Sequence, residues 1–218
     1  MGPFKTRRAL LMALLAVVII AMISFCLVPF DRWVDGFIAA VVDRRLEPYL
    51  EFYDLTDVAR KAVRSNDPKL IHHGLPAAHR ILDLAPRFVD DWNYGNAVHY
   101  GNLALGRYSL EAGDLAQARS RLLAAGRTPG SPQLDSFGPD MTLAEELLAR
   151  GETPAVIEYF ELCDRFWVGK NRSHLAEWRD AVSQGLTPRF GRWSAVPAGP
   201  RSQRLTDPGP PDRAASRL

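Results

Sequence analysis

Residues 9–30, ALLMALLAVVIIAMISFCLVPF, carry no charge, and the eight residues before them hold Lys5, Arg7 and Arg8 without an acid. As a helix rising about 1.5 Å per residue, the stretch spans roughly 33 Å, enough to cross a hydrocarbon core of roughly 30 Å. Pro29 stands at its far end, where a helix stops without losing interior hydrogen bonds. A cleaved signal peptide is the competing reading, but such a segment has a shorter apolar region ending in small residues. Here Phe25, Leu27, Phe30 and Trp33 are bulky where a peptidase needs small side chains. The pattern predicts an uncleaved single-pass anchor. Positive flanks resist translocation, so the N-terminus stays in the cytoplasm. Everything after about residue 31 then lies outside, periplasmic or extracellular in a bacterium.

Beyond the anchor the apolar positions keep helical spacing. Val34, Phe37, Ile38, Val41, Val42, Leu46, Tyr49, Leu50 and Tyr53 predict a juxtamembrane amphipathic helix within residues 31–55, ended or kinked by Pro48. Such a helix can lie on lipid, pack on its own domain or pair with another copy. Residues 56–193 read as short helices with punctuation. Thr56 or Asp57 caps one through about Ser65, and Asp67-Pro68 is an N-cap followed by proline at the first helical position. Gly74 and Pro76 interrupt that second stretch, which resumes over Leu75–Leu84 and stops at Pro86. A longer helix runs from about Asp90 to Ala112 and stops at Gly113; Asp114 caps the next, closed by Gly126. Thr142-Leu-Ala-Glu145 forms a capping box, Thr153-Pro154 opens a helix to about Trp167, and Ser173 caps one ending at Gly185. No period-2 run reaches strand length, so the fold class is all-α. From Ser194 the composition shifts to Pro, Gly, Ser and Arg, which predicts a disordered tail over residues 194–218.

Within this pattern Leu105-Gly106, Gly113, Ala118, Leu122 and Ala125 are similar in spacing to a tetratricopeptide repeat, with Pro129 one place from the expected proline. Gly106 and Ala118 are small where two antiparallel helices cross, Gly113 gives the turn its permissive backbone, and Leu105 with Leu122 fills the space between. On these residues LALGRYSLEAGDLAQARSRLLAAGRTPG resembles a tetratricopeptide repeat, within about residues 99–132. Leu143 to Cys163 repeats the layout with Gly151 at the turn and Phe160 in the large apolar position, though Val156 stands where the repeat prefers Ala. Upstream, Ala77–Pro86 resembles the second helix and terminal proline of such a unit. WNYGNAVHYGNLALG and GSPQLDSFGPDMTLAEELL are similar to wording in uncharacterised bacterial tetratricopeptide-like proteins. The resemblance covers about residues 68–168. It implies a right-handed array of helical hairpins behind the N-terminal transmembrane helix, and it says more about fold than function. One repeat cannot bury both its faces, so the flanking helices must complete the core.

Chemistry enters sparsely. A net charge of +2 leaves no electrostatic footprint for nucleic acid. The two cysteines, Cys26 and Cys163, fall in the anchor and in a later amphipathic helix, which excludes a bond between them within one chain. Cys163, among Tyr159, Phe160, Leu162 and Phe166, reads as a small buried hydrophobe. His72, His73, His79, His99 and His174 form no metal-ligand spacing, Glu158 and Glu161 read as solvated, and no catalytic residue or cofactor is assigned. Aromatic and amide groups concentrate at Trp92, Asn93, Tyr94, Asn96, His99, Tyr100 and Asn102. Asn96, His99 and Asn102 share a helix face at three-residue spacing, a candidate surface for a protein or peptide partner. The alternative is a hydrogen-bonded helix crossing whose amides tie down a loop. Residues 127–141, with three prolines, form a long connection that is either functional or folded back over helix ends.

These readings favour a membrane-tethered interaction module, against a cell-envelope enzyme with unrecognised catalytic residues or a structural assembly subunit. A reporter fused after Gly191 should be active only in the extracytoplasmic compartment. A cytoplasm-only signal would reverse the orientation, and a mature chain beginning near residue 31 would remove the anchor.

Overall fold

The computed structural model describes residues 30–169 and 171–196, and only the backbone of residues 30–46. The expected membrane segment (Phe30 apart), Cys26 and the tail beyond residue 196 lie outside the described residues. The chain divides after Leu50 into two units, and the packing below belongs to the second. Among the described residues every regular element is helical: α1 Phe30–Val63, α2 Pro68–Leu84, α3 Tyr94–Glu111, α4 Leu115–Gly126, α5 Pro132–Phe137, α6 Thr142–Leu148, α7 Thr153–Cys163 and α8 Ser173–Ser183. Short 3-10 turns follow at Ala85–Arg87 and Gly191–Trp193. None of these helices is long and apolar enough to cross a membrane.

Two expected breaks are absent. The juxtamembrane helix and the one expected from Thr56 are a single element, α1, with Pro48 inside it. Thr56 does not cap; its hydroxyl donates to the Phe52 carbonyl one turn back (2.7 Å), a bond that satisfies threonine inside a helix. Phe52, Ala59, Ala62 and Val63 are all buried, and that burial outweighs one lost backbone bond. Likewise α2 runs unbroken through Gly74 and Pro76. Pro76 and His72 are both exposed, so the carbonyl that proline leaves unpaired lies on the solvent side, where the loss is small. Gly74 is there for packing: a Cβ on it would overlap the Ala62 Cβ, so its bareness sets how closely α1 and α2 approach.

Other boundaries move by a turn, each for a visible reason. The long helix opens at Tyr94 rather than Asp90 because the Asp91 carboxylate first takes the Asn93 N–H (2.7 Å). Gly126 is the last residue of α4, without a left-handed backbone, and it packs against α7, where a Cβ would stand 2.9 Å from Leu162 Cβ. The capping box at Thr142 does not form. Asp140 accepts from the Thr142 N–H (2.9 Å) and hydroxyl (2.6 Å) instead. α7 stops at Cys163, four residues early, and Ser173 gives α8 no side-chain cap. Asp67 and Asp114 cap α2 and α4 as expected, accepting from Lys69 N and Gln117 N.

The helix pair read from Leu105 to Ala125 is α3–α4. Leu105, Ala118, Leu122 and Ala125 are buried between the helices and Gly113 turns the chain at φ +82°. α6 and α7 repeat the layout around Gly151 at φ +80°, with Val156 and Phe160 buried. The 127–141 connection is not structureless: Ser131 caps the short α5 by accepting from Leu134 N (3.0 Å). An aromatic cluster closes the C-terminal end, where Trp178 packs against Phe160, Trp167, Phe190 and Trp193. Residues 194–196, expected in the tail, are tied down by Ala195 N–H to Thr142 Oγ1 (3.0 Å) and Asn66 to the Ala195 carbonyl (3.2 Å).

Gly95 and Gly106 should respond differently to the same added methyl. At Gly95 a Cβ would overlap the backbone carbonyl of Gly130, whereas at Gly106 the main obstacle is the tip of the Leu143 side chain. Overpacking of this kind costs about 1–3 kcal/mol, and only a side-chain tip can rotate away. Thermal unfolding of the full-length chain should therefore rank Gly95→Ala well below Gly106→Ala, and the reverse order would contradict these crossings.

Candidate functional site

α3 carries the expected site, and it is buried on almost every side. Its Asn96 (1 % exposed) and His99 (0 %) face inward, as do Asn93 and Asn102. A polar group inside a core must find a partner, because leaving it unpaired costs about 1–3 kcal/mol. Here the partners are side chains of neighbouring helices, backbone carbonyls and the loop. Asn93 donates to Thr56 Oγ1 (3.2 Å), Asn96 donates to Asn93 Oδ1 (3.0 Å), and Ser131 donates to Asn96 Oδ1 (2.7 Å). Thr128 donates to the Gly95 carbonyl (2.8 Å). Asn102 turns away from this set, donating to the Val98 carbonyl (2.8 Å) and accepting from Arg121 of α4 (3.1 Å).

The Asn96–His99–Asn102 face is thus not an open surface. The 127–141 connection lies back over α3, where Ser131 meets the Asn96 amide and Thr128 the Gly95 carbonyl, while Asn102 serves the α3–α4 crossing. Of the remaining predicted residues, Tyr94 is half-buried beside a small cluster of Phe52, Leu84, Ala85, Phe88 and Ala97. Tyr100 is buried with its ring edge-on to His99 and lines a cleft on the other side. Trp92 alone reaches the surface, 54 % exposed.

His99 spans two segments with its two nitrogens. The Asp140 N–H donates to Nε2 (3.1 Å), so Nε2 carries the lone pair. Nδ1 then holds the proton and donates to the Ala125 carbonyl (3.2 Å). Burial pushes the imidazole from 6.5 down to about 4, against the Ala125 hydrogen bond and the Asp140 charge, which both favour protonation. With its lone pair occupied by a backbone N–H, His99 is a brace.

Around it sit residues that the sequence did not mark. The Asp140 carboxylate, fully buried, meets Arg64 Nε (2.7 Å) from the end of α1. Tyr159 of α7 donates to the Asp140 carbonyl (2.8 Å), and burial holds its phenol well above the usual range. Arg107 of α3 pairs with Glu146 (Nε to Oε2, 3.0 Å) and donates to the Val63 carbonyl (2.8 Å) at the end of α1. Only one sequence signal pointed here: an Asp two residues before a Thr at a helix start, after Pro139. Burial also raises the Cys163 thiol, which is free and buried, so it is held protonated.

Glu158 and Glu161 are exposed, and Glu158 faces Arg127 (3.6 Å). Among the described residues no group of three or more His, Cys, Asp or Glu is placed to hold a metal ion. Comparison of the chain with protein-family models, with curated proteins and with solved structures gave no match.

His99 sets a pH dependence of stability whose sign follows from its depressed value. Above pH 6.5 the folded and unfolded chains are both neutral at this residue. Below it the unfolded chain takes up a proton that the fold refuses until about pH 4. Stability therefore falls as pH drops through that window, by up to about 1.4 kcal/mol per pH unit and about 3 kcal/mol in all. His99→Gln can still accept and donate but does not titrate. Urea unfolding at pH 7.5 and 4.5 should show a clearly smaller loss for the variant than for the parent, and equal losses would contradict the buried neutral brace.

Proposed function

We propose that this chain is a membrane-tethered interaction module: residues 9–30 anchor it, its N-terminus faces the cytoplasm, and its helical domain meets a protein partner outside. We read α3–α4 and α6–α7 as two degenerate tetratricopeptide-like hairpins, with α2 as the second helix of a unit before them. The observation that carries the interaction reading is Trp92. Its ring is held edge-on by Tyr53 at 5.5 Å, and the Tyr53 hydroxyl is itself bonded to the Asp91 carboxylate (3.0 Å). Val89, three residues before it, is also exposed. Tryptophan is enriched among the residues that dominate binding energy, and one already fixed in place loses little entropy when a partner covers it.

Capture of the full-length chain from membranes tests this. Trp92→Ala should reduce recovery of its partner at least about tenfold, since a buried aromatic anchor is commonly worth more than about 2 kcal/mol. Its thermal midpoint should stay near the parent's. Undiminished capture by a folded Trp92→Ala variant would remove this surface from the reading.

A further inference from the structure

A cleft of about 320 Å³ opens beside Tyr100, lined also by Arg60, Arg64, Arg192 and Gln133. That volume is at the small end of ligand sites, roughly 300–1,000 Å³. Three arginines meet around one small space, and their counter-charges are nearby: Asp57 pairs with Arg60, and Asp140 with Arg64. Lys61, the second partner of Asp57 (2.7 Å), is mostly solvent-exposed. Arg192 lies over the Trp193 ring, 4.8 Å from its centroid, and faces no carboxylate among the described residues. The lining therefore holds one cation more than its neighbours neutralise.

Hydrogen-bond donors converge on the same space. Arg64 uses Nε on Asp140 and Nη2 on the Arg192 carbonyl (2.9 Å), which leaves Nη1 without a partner among the described residues. Tyr100 is only 7 % exposed and lines the cleft, yet its hydroxyl has no hydrogen-bond partner among the described residues. Burial and the Asp140 charge push that phenol up to about 12, against the pull of Arg64 and Arg60, so it stays a donor at neutral pH. Gln133 adds a half-buried amide, also without a side-chain partner among the described residues. The remaining wall is apolar: Leu134, and Phe137 with 67 % of its surface exposed.

We propose that this cleft binds a small monocarboxylate carried on a short apolar body. The carboxylate accepts from Arg64, Arg192 and the Tyr100 hydroxyl, and the apolar body lies against Leu134 and Phe137. One unmatched cation suits a single negative charge better than the near-double charge of a phosphate. Arg64 is held in place by Asp140 before any ligand arrives, so part of the ordering cost is already met.

Titration calorimetry on the full-length chain with hexanoate, hexanol, hexylamine and inorganic phosphate tests this site. Hexanoate should bind, hexanol and hexylamine should give no saturable heat, and phosphate should bind more weakly than hexanoate. Arg192→Gln removes the unmatched charge at an exposed position and should weaken hexanoate about tenfold, the size of a charge-assisted contact. Tyr100→Phe deletes only the unpartnered hydroxyl and should weaken it about threefold with an unchanged thermal midpoint. Arg64→Gln is unsuitable because it strands the buried Asp140 charge. The proposal is overturned by absence of hexanoate binding, by phosphate binding more tightly, or by parental affinity in both folded variants.

Discussion

Asp140 is the residue on which the four helices around it agree. Its carboxylate takes Arg64 from the turn just after α1 and both donors of Thr142 from α6; its N–H meets His99 of α3; its carbonyl takes the Tyr159 hydroxyl of α7. A buried carboxylate is costly unless paired and hydrogen-bonded, and removing one partner of such a pair typically costs about 3–5 kcal/mol. Each of the four elements is therefore held to the position at which its own group reaches Asp140. Apolar packing alone would leave them freer to slide, because it rewards contact without specifying register.

That constraint explains why α3 carries so many polar residues in an otherwise apolar centre. α2 and α4 flank it, and the 127–141 connection covers what they leave open, so almost none of its surface meets water. Three glycines make this possible. Gly95 admits the Gly130 carbonyl, Gly101 meets Leu82 and Ile81, and Gly106 meets Leu143 and α4. Once the backbones stand so close, Asn96 meets the Ser131 hydroxyl of the connection, and His99 meets the Asp140 N–H and the Ala125 carbonyl of α4 directly. The same groups that look like a binding face along the sequence become the means by which the helix holds a loop.

What was legible in the sequence was mostly local. Asp67-Pro68 and Asp114 cap because the acceptor and the orphan N–H lie within three residues of each other, and Gly113 and Gly151 turn because their backbones need positive φ. The all-α class followed from helical spacing, and the α3–α4 pairing from the resemblance of residues 99–132 to a tetratricopeptide repeat. Gly74 and Pro76 misled, because their local preference for a break was overruled by the burial of Ala62 and Ala78 around them. The polar centre was illegible for a different reason. Arg64 and Asp140 are separated by 76 positions and Tyr53 and Asp91 by 38, and no periodicity encodes such pairs. Asn96, His99 and Asn102 were located correctly on one helix, but whether they faced solvent depended on a connection whose path only tertiary structure fixes.

A domain braced in this way has consequences for where it can act. Side chains whose donors and acceptors are already matched by backbone cannot exchange those partners for a ligand without losing what holds the helices. On the proposed reading, recognition uses groups that the brace leaves over. Two such groups among the described residues sit at its margin. Trp92 projects from the turn before α3, fixed by Tyr53 but not covered by it. Around the outer side of Asp140, Arg64 presents the one nitrogen that the brace does not use, with Arg192 and the Tyr100 hydroxyl beside it. Their positions are inherited from the core, since moving Arg64 would break the Asp140 pair. Rigidity of that origin favours ligands that fit the existing arrangement over those that require the helices to shift.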